Sequence, residues 1–269
     1  MLDKSIIILT SDHLRHQYFK LKLSNSDGIN VIKCYCDIVE PAGSKNIKNK
    51  TIEDLHFDSR RQVEEDFFQD YVTSTTDNSN SEFIPRGDIN KDNKVQEIID
   101  LDPDLIITYG CCIIKPALIE QFKGRIINVH LGLSPYYYGS GTNFFPFVNK
   151  ELSAVGCTFM YMDEGIDTGK IIHQIRADID PNDSIHQVGN RLIKKMTNIF
   201  AKIICNFENL KDKKPASDIV GVTYKKKDCT EDTIKEAYQN LTDGLCTEYL
   251  MNKKLLDKKF PLVEQVLLC

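Results

Sequence analysis

The sequence predicts an α/β protein: a mostly parallel sheet flanked by helices, with a small α+β extension at its C-terminal end. Three observations carry this expectation. Ser5-Ile6-Ile7-Ile8-Leu9-Thr10 is a short continuous apolar run, the pattern of a strand covered on both faces. A helix-spaced segment and a second strand-like run follow it, and strand, helix, strand implies a right-handed parallel unit. After Leu210 the composition shifts at Lys211-Asp212-Lys213-Lys214-Pro215, which reads as a linker. The expected units are therefore 1–207, a catalytic-sized domain, and 208–269, the extension.

The elements follow in order. His13 to Leu23 has helical spacing, with Leu14, Tyr18, Phe19 and Leu21 as apolar positions, and Asn30 to Cys36 reads as the second strand. Glu40 to Lys91 is polar, weakly periodic and long for a loop. Its centre, Ser59 to Asp70, reads as helix, with Val63, Phe67 and Phe68 on one side. Thr73 to Ser81 is rich in Ser, Thr and Asn and reads as a mobile connection. Lys94 to Leu101 is helical and is stopped by Asp102-Pro103. Asp104 to Gly110 is a strand entering a turn, and Pro116 to Phe122 is a short helix with proline near its start. Arg125 to His130 is a strand, and Tyr136 to Gly141 a tight glycine-bearing loop. Val155 to Met162 and Lys170 to Ala177 pair as strands. Asp183-Ser184 can cap a helix running from Ile185 to about Phe207. A strand-like piece near Val220 to Lys225, a helix from Glu231 to Leu241 and a lysine-bearing tail complete the chain.

With 269 residues, 41% of them hydrophobic, the chain can bury a sizeable core. No apolar run approaches the ~20 residues that span a bilayer. The first residues lack the basic flank and cleavage site of a secretory signal, so the expected location is cytoplasmic. The nine cysteines contain no Cys-x-x-Cys pair and lack nearby ligand partners, so they read as reduced core residues and no metal site is expected. A net charge of −5 argues against broad nucleic-acid binding while leaving room for a local basic patch.

Asn128, His130 and Asp167 are polar side chains set among apolar runs, each beside a turn signal. Polar groups are costly to bury without partners. Asn128 and His130 lie two apart on a strand, so they share one face at its end, where open parallel sheets bind ligands. An Asn amide can donate to an oxygen gaining negative charge, a His can shuttle a proton near neutral pH, and a carboxylate can orient the ring. The set suits attack of an amine on an activated carbonyl carbon. Singly, each residue reads as an ordinary turn or strand-end group; together with Gly132, Pro135 and Gly169 they read as a site.

Asn-Val-His-Leu-Gly-Leu-Ser-Pro-Tyr-Tyr-Tyr-Gly from Asn128, followed by Val-Gly-Cys-Thr-Phe-Met-Tyr-Met-Asp-Glu-Gly-Ile-Asp-Thr-Gly-Lys-Ile-Ile from Val155, resembles the 10-formyltetrahydrofolate-dependent formyltransferases. That family includes glycinamide ribonucleotide transformylase, methionyl-tRNA formyltransferase and the nucleotide-sugar N-formyltransferases. The resemblance is good over residues 95 to 205 and loose over the first strands. It implies a Rossmann-like formyltransferase fold and a catalytic trio. Asn128 would hydrogen-bond the formyl oxygen, His130 accept the amine proton or polarise the formyl group, and Asp167 hold His130 and a water. It also implies 10-formyltetrahydrofolate as formyl donor, its pterin between Cys111, Cys112, Ile113 and Ile114 on one side and Asp163, Glu164, Gly165 and Ile166 on the other. For Cys111 to Ile114, plain strand-to-helix packing is the alternative. The Ser134-Pro135 bond is a candidate cis peptide by the same resemblance, although trans is the usual state of X-Pro.

Among acceptors, the purine-type enzyme fits least, since Thr10-Ser11-Asp12-His13-Leu14-Arg15 lacks that group's glycine-rich phosphate loop. The tRNA-type enzyme has a C-terminal barrel of about a hundred residues by resemblance, and the extension expected here is shorter. A folate hydrolase would need an N-terminal regulatory domain ahead of the first strand. The nucleotide-sugar N-formyltransferases resemble this chain in length and in their small, often dimerising extension, so a nucleotide-linked amino sugar is the expected acceptor and a homodimer the expected assembly. A tRNA or other macromolecular acceptor, and a non-catalytic folate-binding protein, remain the alternatives. Tyr138, Gly141, Thr142 and Asn143 belong to the segment expected beside the sugar, where glycines permit close backbone approach. Arg15, Arg60, Arg61 and Arg86 are candidate diphosphate ligands, assisted by His16 and Tyr18, because arginine binds phosphate in bidentate fashion. Each is also readable as a surface arginine. Lys225-Lys226-Lys227 reads as a solvated strand end.

Overall fold

The computed structural model describes residues 3–39, 50–165, 168–211 and 221–268. In chain order the elements are β1 (Lys4–Ser11), α1 (Leu14–Ser24), β2 (Ile29–Ile38), α2 (Ile52–Ser74), β3 (Ser81–Pro85), α3 (Asp92–Leu101), β4 (Leu105–Thr108), α4 (Pro116–Gln121), β5 (Ile126–His130), β6 (Tyr137–Gly139), α5 (Phe145–Val148), β7 (Gly156–Tyr161), β8 (Ile171–Arg176), α6 (Ile185–Cys205), β9 (Val222–Tyr224), α7 (Glu231–Thr242) and α8 (Leu245–Leu256). A seven-stranded sheet has the order β3-β2-β1-β4-β5-β7-β8. The first five strands are parallel and β7 and β8 are antiparallel, so the expected mostly parallel sheet is present. The four apolar residues Ile6 to Leu9 are at most 1% exposed because helices cover both faces of β1.

One core lies between the sheet and α1, α2 and α6, and a second, smaller one under α3 and α4. Helix α6 is fixed at its start by a capping box: the Ser184 hydroxyl accepts from the Gln187 N–H, and the Gln187 side chain accepts from the Ser184 N–H. That cap and the buried face running from Ile185 to Ile204 hold α6 across the sheet.

Four regions differ from the sequence reading. Tyr137–Gly139, expected within a tight loop, is the short strand β6 paired with β9. Helix α2 spans 23 residues rather than the 12 of its expected centre, starting from a capping box between Thr51 and Asp54. Thr73 to Ser81 is pinned rather than loose. Asp77 accepts from Lys20 (2.6 Å) and from the Ser79 N–H (2.9 Å), and the Asn25 amide donates to the Thr76 carbonyl (3.0 Å). It runs into β3, an edge strand missed because it is short and ends in proline, which edges tolerate. The lysine-bearing tail contains α8. The expected linker falls at Lys211 and 212–215, and all of it but Lys211 lies outside the described residues.

The C-terminal segment packs directly on the sheet domain. Strand β9 pairs in parallel with β6, and α7 packs on α2 and α5. Val263 exchanges main-chain and side-chain hydrogen bonds with Gln174 of β8 (2.7 and 2.9 Å). No helix among the described residues is long and apolar enough to cross a membrane. Every described cysteine is free; Cys34, Cys36, Cys157 and Cys246 are buried. Cys269 lies outside the described residues.

Candidate active site

The parallel strands β1, β2, β4 and β5 deliver their C-terminal ends to one edge, and a cavity of about 620 Å³ opens there. Asn128 and His130, on one face of β5, both line it. Within β4, the Thr108 hydroxyl, wholly buried, donates to Asn128 Oδ1 (2.8 Å). With the oxygen edge so engaged, the amide's N–H edge is turned away from Thr108. The turn after His130 is braced from below. Thr158 Oγ1 donates to the Gly132 carbonyl (2.7 Å) and accepts from the Ser134 N–H (3.0 Å), and Gln174 Nε2 donates to Thr158 Oγ1 (3.0 Å) and to the Ser134 carbonyl (2.5 Å). The Ser134-Pro135 peptide is cis. A Cβ at Gly132 would fall 2.5 Å from His130 Nε2 and 2.7 Å from Thr142 Oγ1, so only glycine lets these two side chains flank the turn.

Cys111, Cys112, Ile113 and Ile114 form one wall of the cavity, and Asp163, Glu164 and Gly165 another. Ile166 and Asp167 lie outside the described residues. The turn begins at Gly110, whose positive φ of 66° and closeness to the His16 ring exclude a side chain: a Cβ there would meet His16 Cε1 at 2.4 Å. Asp37, 2% exposed at the end of β2, draws two loops together by accepting from the Cys112 N–H (2.6 Å) and the Gly87 N–H (3.3 Å). Burial and the Cys112 and Asp37 charges push the Cys111 thiol up; burial and Asp37 push Cys112 up to about 11. Both stay protonated at neutral pH and present unreactive walls. Asp163 closes its own loop, accepting from Thr168 Oγ1 (2.8 Å) and the Gly165 N–H (3.0 Å).

A second cavity of about 350 Å³ adjoins the first and is lined by α2, α6 and the Gly139–Phe144 loop. Arg15, Arg60, His130 and Leu131 line both cavities, so His130 stands at their junction. Gly141, Thr142 and Asn143 reach the second cavity. Asn143 also clamps the loop, donating to the Gly156 carbonyl (2.9 Å) and accepting its N–H (3.0 Å). Tyr138 is half-buried on β6 and lines neither cavity.

The candidate cations separate. Arg15 pairs with Glu64 (3.0 Å) and Arg86 approaches Asp37 (4.0 Å) at the rim of the larger cavity. Arg60 has solvent access within the cleft, yet is walled in by protein; burial and the neighbouring Arg15 lower its pKa. Arg61 lines neither cavity: it pairs with Asp58 and is 67% exposed. Its guanidinium leaves the same helix in another direction, because successive residues are ~100° apart around an α-helix. His16 is buried, paired with Ser11 and set edge-on to Tyr109 at 4.5 Å; burial holds it well below the ordinary histidine range. Tyr18 packs in the core against Phe68 and Tyr71.

Several lining or bracing residues were not visible in the sequence. Thr108 and Thr158 look like ordinary β-branched strand residues. His56 and His186, both on the wall of the second cavity, sit in helices whose apolar periodicity says nothing about polar neighbours. The i, i+4 spacing of His186 and Asn190 was the only available signal. Among the described residues no group of acidic, histidine or cysteine side chains is arranged to hold a metal ion.

Residues 4–204 match the formyl transferase family. The methionyl-tRNA formyltransferase of Alkaliphilus oremlandii is 35% identical over 119 residues, 44% of this chain and 38% of that protein, so the match spans under two fifths of the relative's length. A 4-N formyltransferase from Francisella tularensis superimposes with a TM-score of 0.57 at 21% identity, covering 88% of this chain and 87% of that one. A phosphoribosylglycinamide formyltransferase from Streptococcus pneumoniae gives 0.52 at 16% identity, covering 76% and 99%. At these identities the structural likenesses establish the fold alone. With three quarters of its length inside the family match, the chain belongs to the formyl transferase family.

Proposed function

We propose that the protein moves the formyl group of 10-formyltetrahydrofolate to the amine of a nucleotide-linked amino sugar. The observation that carries this reading is His130 lining two adjoining cavities, the larger of a size for a folate and the smaller for a sugar ring. The donor fits the larger cavity on its own terms: a glycine turn, uncharged thiols and the 75% exposed Ile113 offer a flat apolar face rimmed by main-chain groups.

The folate supplies a formyl group already activated for acyl transfer, so no nucleophilic side chain is required. Asn128, its oxygen held by Thr108, donates an amide N–H to the formyl oxygen as that oxygen gains charge. His130 takes the proton that the amine sheds as the new carbon–nitrogen bond forms, and a proton passes to the departing folate nitrogen as the old bond breaks. Asp167 would orient the His130 ring. Arg15, Arg60 and Arg86 supply positive charge for a diphosphate, Arg15 and Arg60 lining both cavities.

A second reading, a methionyl-tRNA acceptor, is favoured by the 35% identity to an enzyme of that name. The size of the smaller cavity, about 350 Å³ beside the larger one, favours the sugar. Release of tetrahydrofolate and formation of a formamido product, measured on a panel of nucleotide amino sugars beside charged initiator tRNA, tests the choice. Formylation of the tRNA with none of the sugars turned over would refute the proposal. Dimerisation through the C-terminal segment belongs to the same reading and is supported by the exposed Met251, Leu255, Val266 and Leu267; sedimentation of a monomer would remove it.

A further inference from the structure

The smaller cavity has one wall that the reaction does not use. His56 and Asn190 are 7% and 6% exposed, and both line it. His56 Nδ1 lies 3.2 Å from the Tyr238 hydroxyl, and that same hydroxyl lies 3.4 Å from His186 Nε2. The two imidazole centroids lie 4.6 Å apart with their planes tilted by 55°. A hydroxyl has one proton, so it donates to one ring and must accept an N–H from the other. The triplet therefore locks both rings in orientation and couples their tautomers.

Burial, reinforced by neighbouring positive charge, pushes His56 down to about 4 and His186 down to about 3, so both are neutral in the working range. His56 Nε2 and the Asn190 amide make no hydrogen bond to the protein among the described residues, although both side chains are more than nine-tenths buried. Polar groups that open onto a cavity without a protein partner are available to a ligand. Near them are Thr142, Gly141 and Phe144, and Glu64, the one carboxylate lining the cavity among the described residues, is taken by Arg15. The cavity is thus cationic at the Arg15–Arg60 end and neutral at the His56–Asn190 end.

We infer that His56 and Asn190, braced by Tyr238 and His186, recognise the sugar ring of the acceptor through a hydroxyl or acetamido group near its reacting amine. The inference rests on the amino-sugar reading and sharpens it. The acceptor is an amino sugar whose neutral substituents, rather than a second charge, are read by the protein. Tyr238 comes from α7, so the C-terminal segment sets acceptor preference without touching the acceptor.

The test is steady-state kinetics of H56L, H56Q, N190L and Y238F on a nucleotide amino sugar and on analogues lacking single ring hydroxyls or the acetamido group. Losing one such hydrogen bond raises the acceptor KM about tenfold. H56L and N190L should do so with kcat within about threefold and the folate KM unchanged; H56Q should recover most of the loss, and Y238F should show a smaller one. With the analogue lacking the recognised group, the H56L effect should vanish, which general damage to packing cannot produce. Melting curves and folate titration identify any variant that has not folded, and the H56Q and Y238F arms then decide. Wild-type turnover of amino sugars with an unchanged acceptor KM in the variants, or an equal loss on every analogue, overturns the inference alone. Absence of turnover on every nucleotide amino sugar overturns the functional reading and the inference with it.

Discussion

Replacing Thr108 by valine removes one hydroxyl and almost nothing else. Valine has the same shape and suits β4, and Thr108 is wholly buried, so no cavity or strain arises. What goes is the 2.8 Å bond that holds Asn128 Oδ1. A hydrogen bond of this kind is worth about 1 kcal/mol net, and leaving a partly buried acceptor unmatched brings the cost to about 1–3 kcal/mol. If Asn128 must point its N–H at the forming oxyanion, that cost falls on the transition state. At 1.4 kcal/mol per factor of ten, kcat should drop about 5- to 150-fold, with the folate KM nearly unchanged. Thr108→Ser retains the hydroxyl and should stay within a few-fold of wild type. The assay is tetrahydrofolate release under saturating folate, beside a urea melt to check folding. A folded Thr108→Val enzyme with kcat within twofold of wild type would refute the reasoning, because Asn128 would then need no orientation.

Four further outcomes are expected. Gly132→Ala places a methyl where His130 Nε2 and Thr142 Oγ1 now sit, so turnover should fall at least ~100-fold while circular dichroism stays native; retained activity would remove His130 from the chemistry. Asp37→Asn weakens the bonds to the Cys112 and Gly87 main chain and should loosen folate by about tenfold in a fluorescence titration, with the acceptor KM little changed. Arg60→Ala should raise the nucleotide-sugar KM tenfold or more while Arg61→Ala leaves it alone, and equal effects would show that neither acts through the cleft. Because burial lowers His56 to about 4 and His186 to about 3, the unfolded chain binds more protons below the ordinary histidine value; stability is therefore full above ~pH 6.5 and falls as pH drops toward 4, by roughly 2 kcal/mol for each ring at pH 5, which urea midpoints from pH 8 to 5 should register.

The parallel sheet was legible because its central strands are buried on both faces and therefore read as unbroken apolar runs, as Ile6 to Leu9 and Leu105 to Ile107 do. Asn128 and His130 were legible for the opposite reason, as polar interruptions at a two-residue spacing just before a glycine turn. Helix α2 was read at half its length because part of its buried face is polar. His56 and Glu64 turn inward toward the cleft while Leu55 and Phe57 are exposed, so a search for apolar periodicity sees the wrong side. Arg60 and Arg61 are indistinguishable as neighbouring letters, and only the turn of the helix sends one into the cleft. Thr108 carried no signal at all, since a threonine in a strand is what β propensity alone would put there.

This contrast follows the two cavities. The larger cavity, proposed for the donor, is made from strand ends and the main chain of the turns after them, so the topology of the sheet is enough to build it. The smaller, proposed for the acceptor, is made from side chains on α2 and α6, elements distant in sequence and joined through Tyr238 of α7. No strand pattern predicts which of those side chains turn inward. Formyltransferases with different names therefore share the fold, and the acceptor of this one has to be argued from His56, Asn190 and Arg60 rather than from the sheet. A hydrophobic replacement on that wall should weaken acceptor binding while leaving folate binding in place, since among the described residues the two cavities share only His130, Leu131, Arg15 and Arg60.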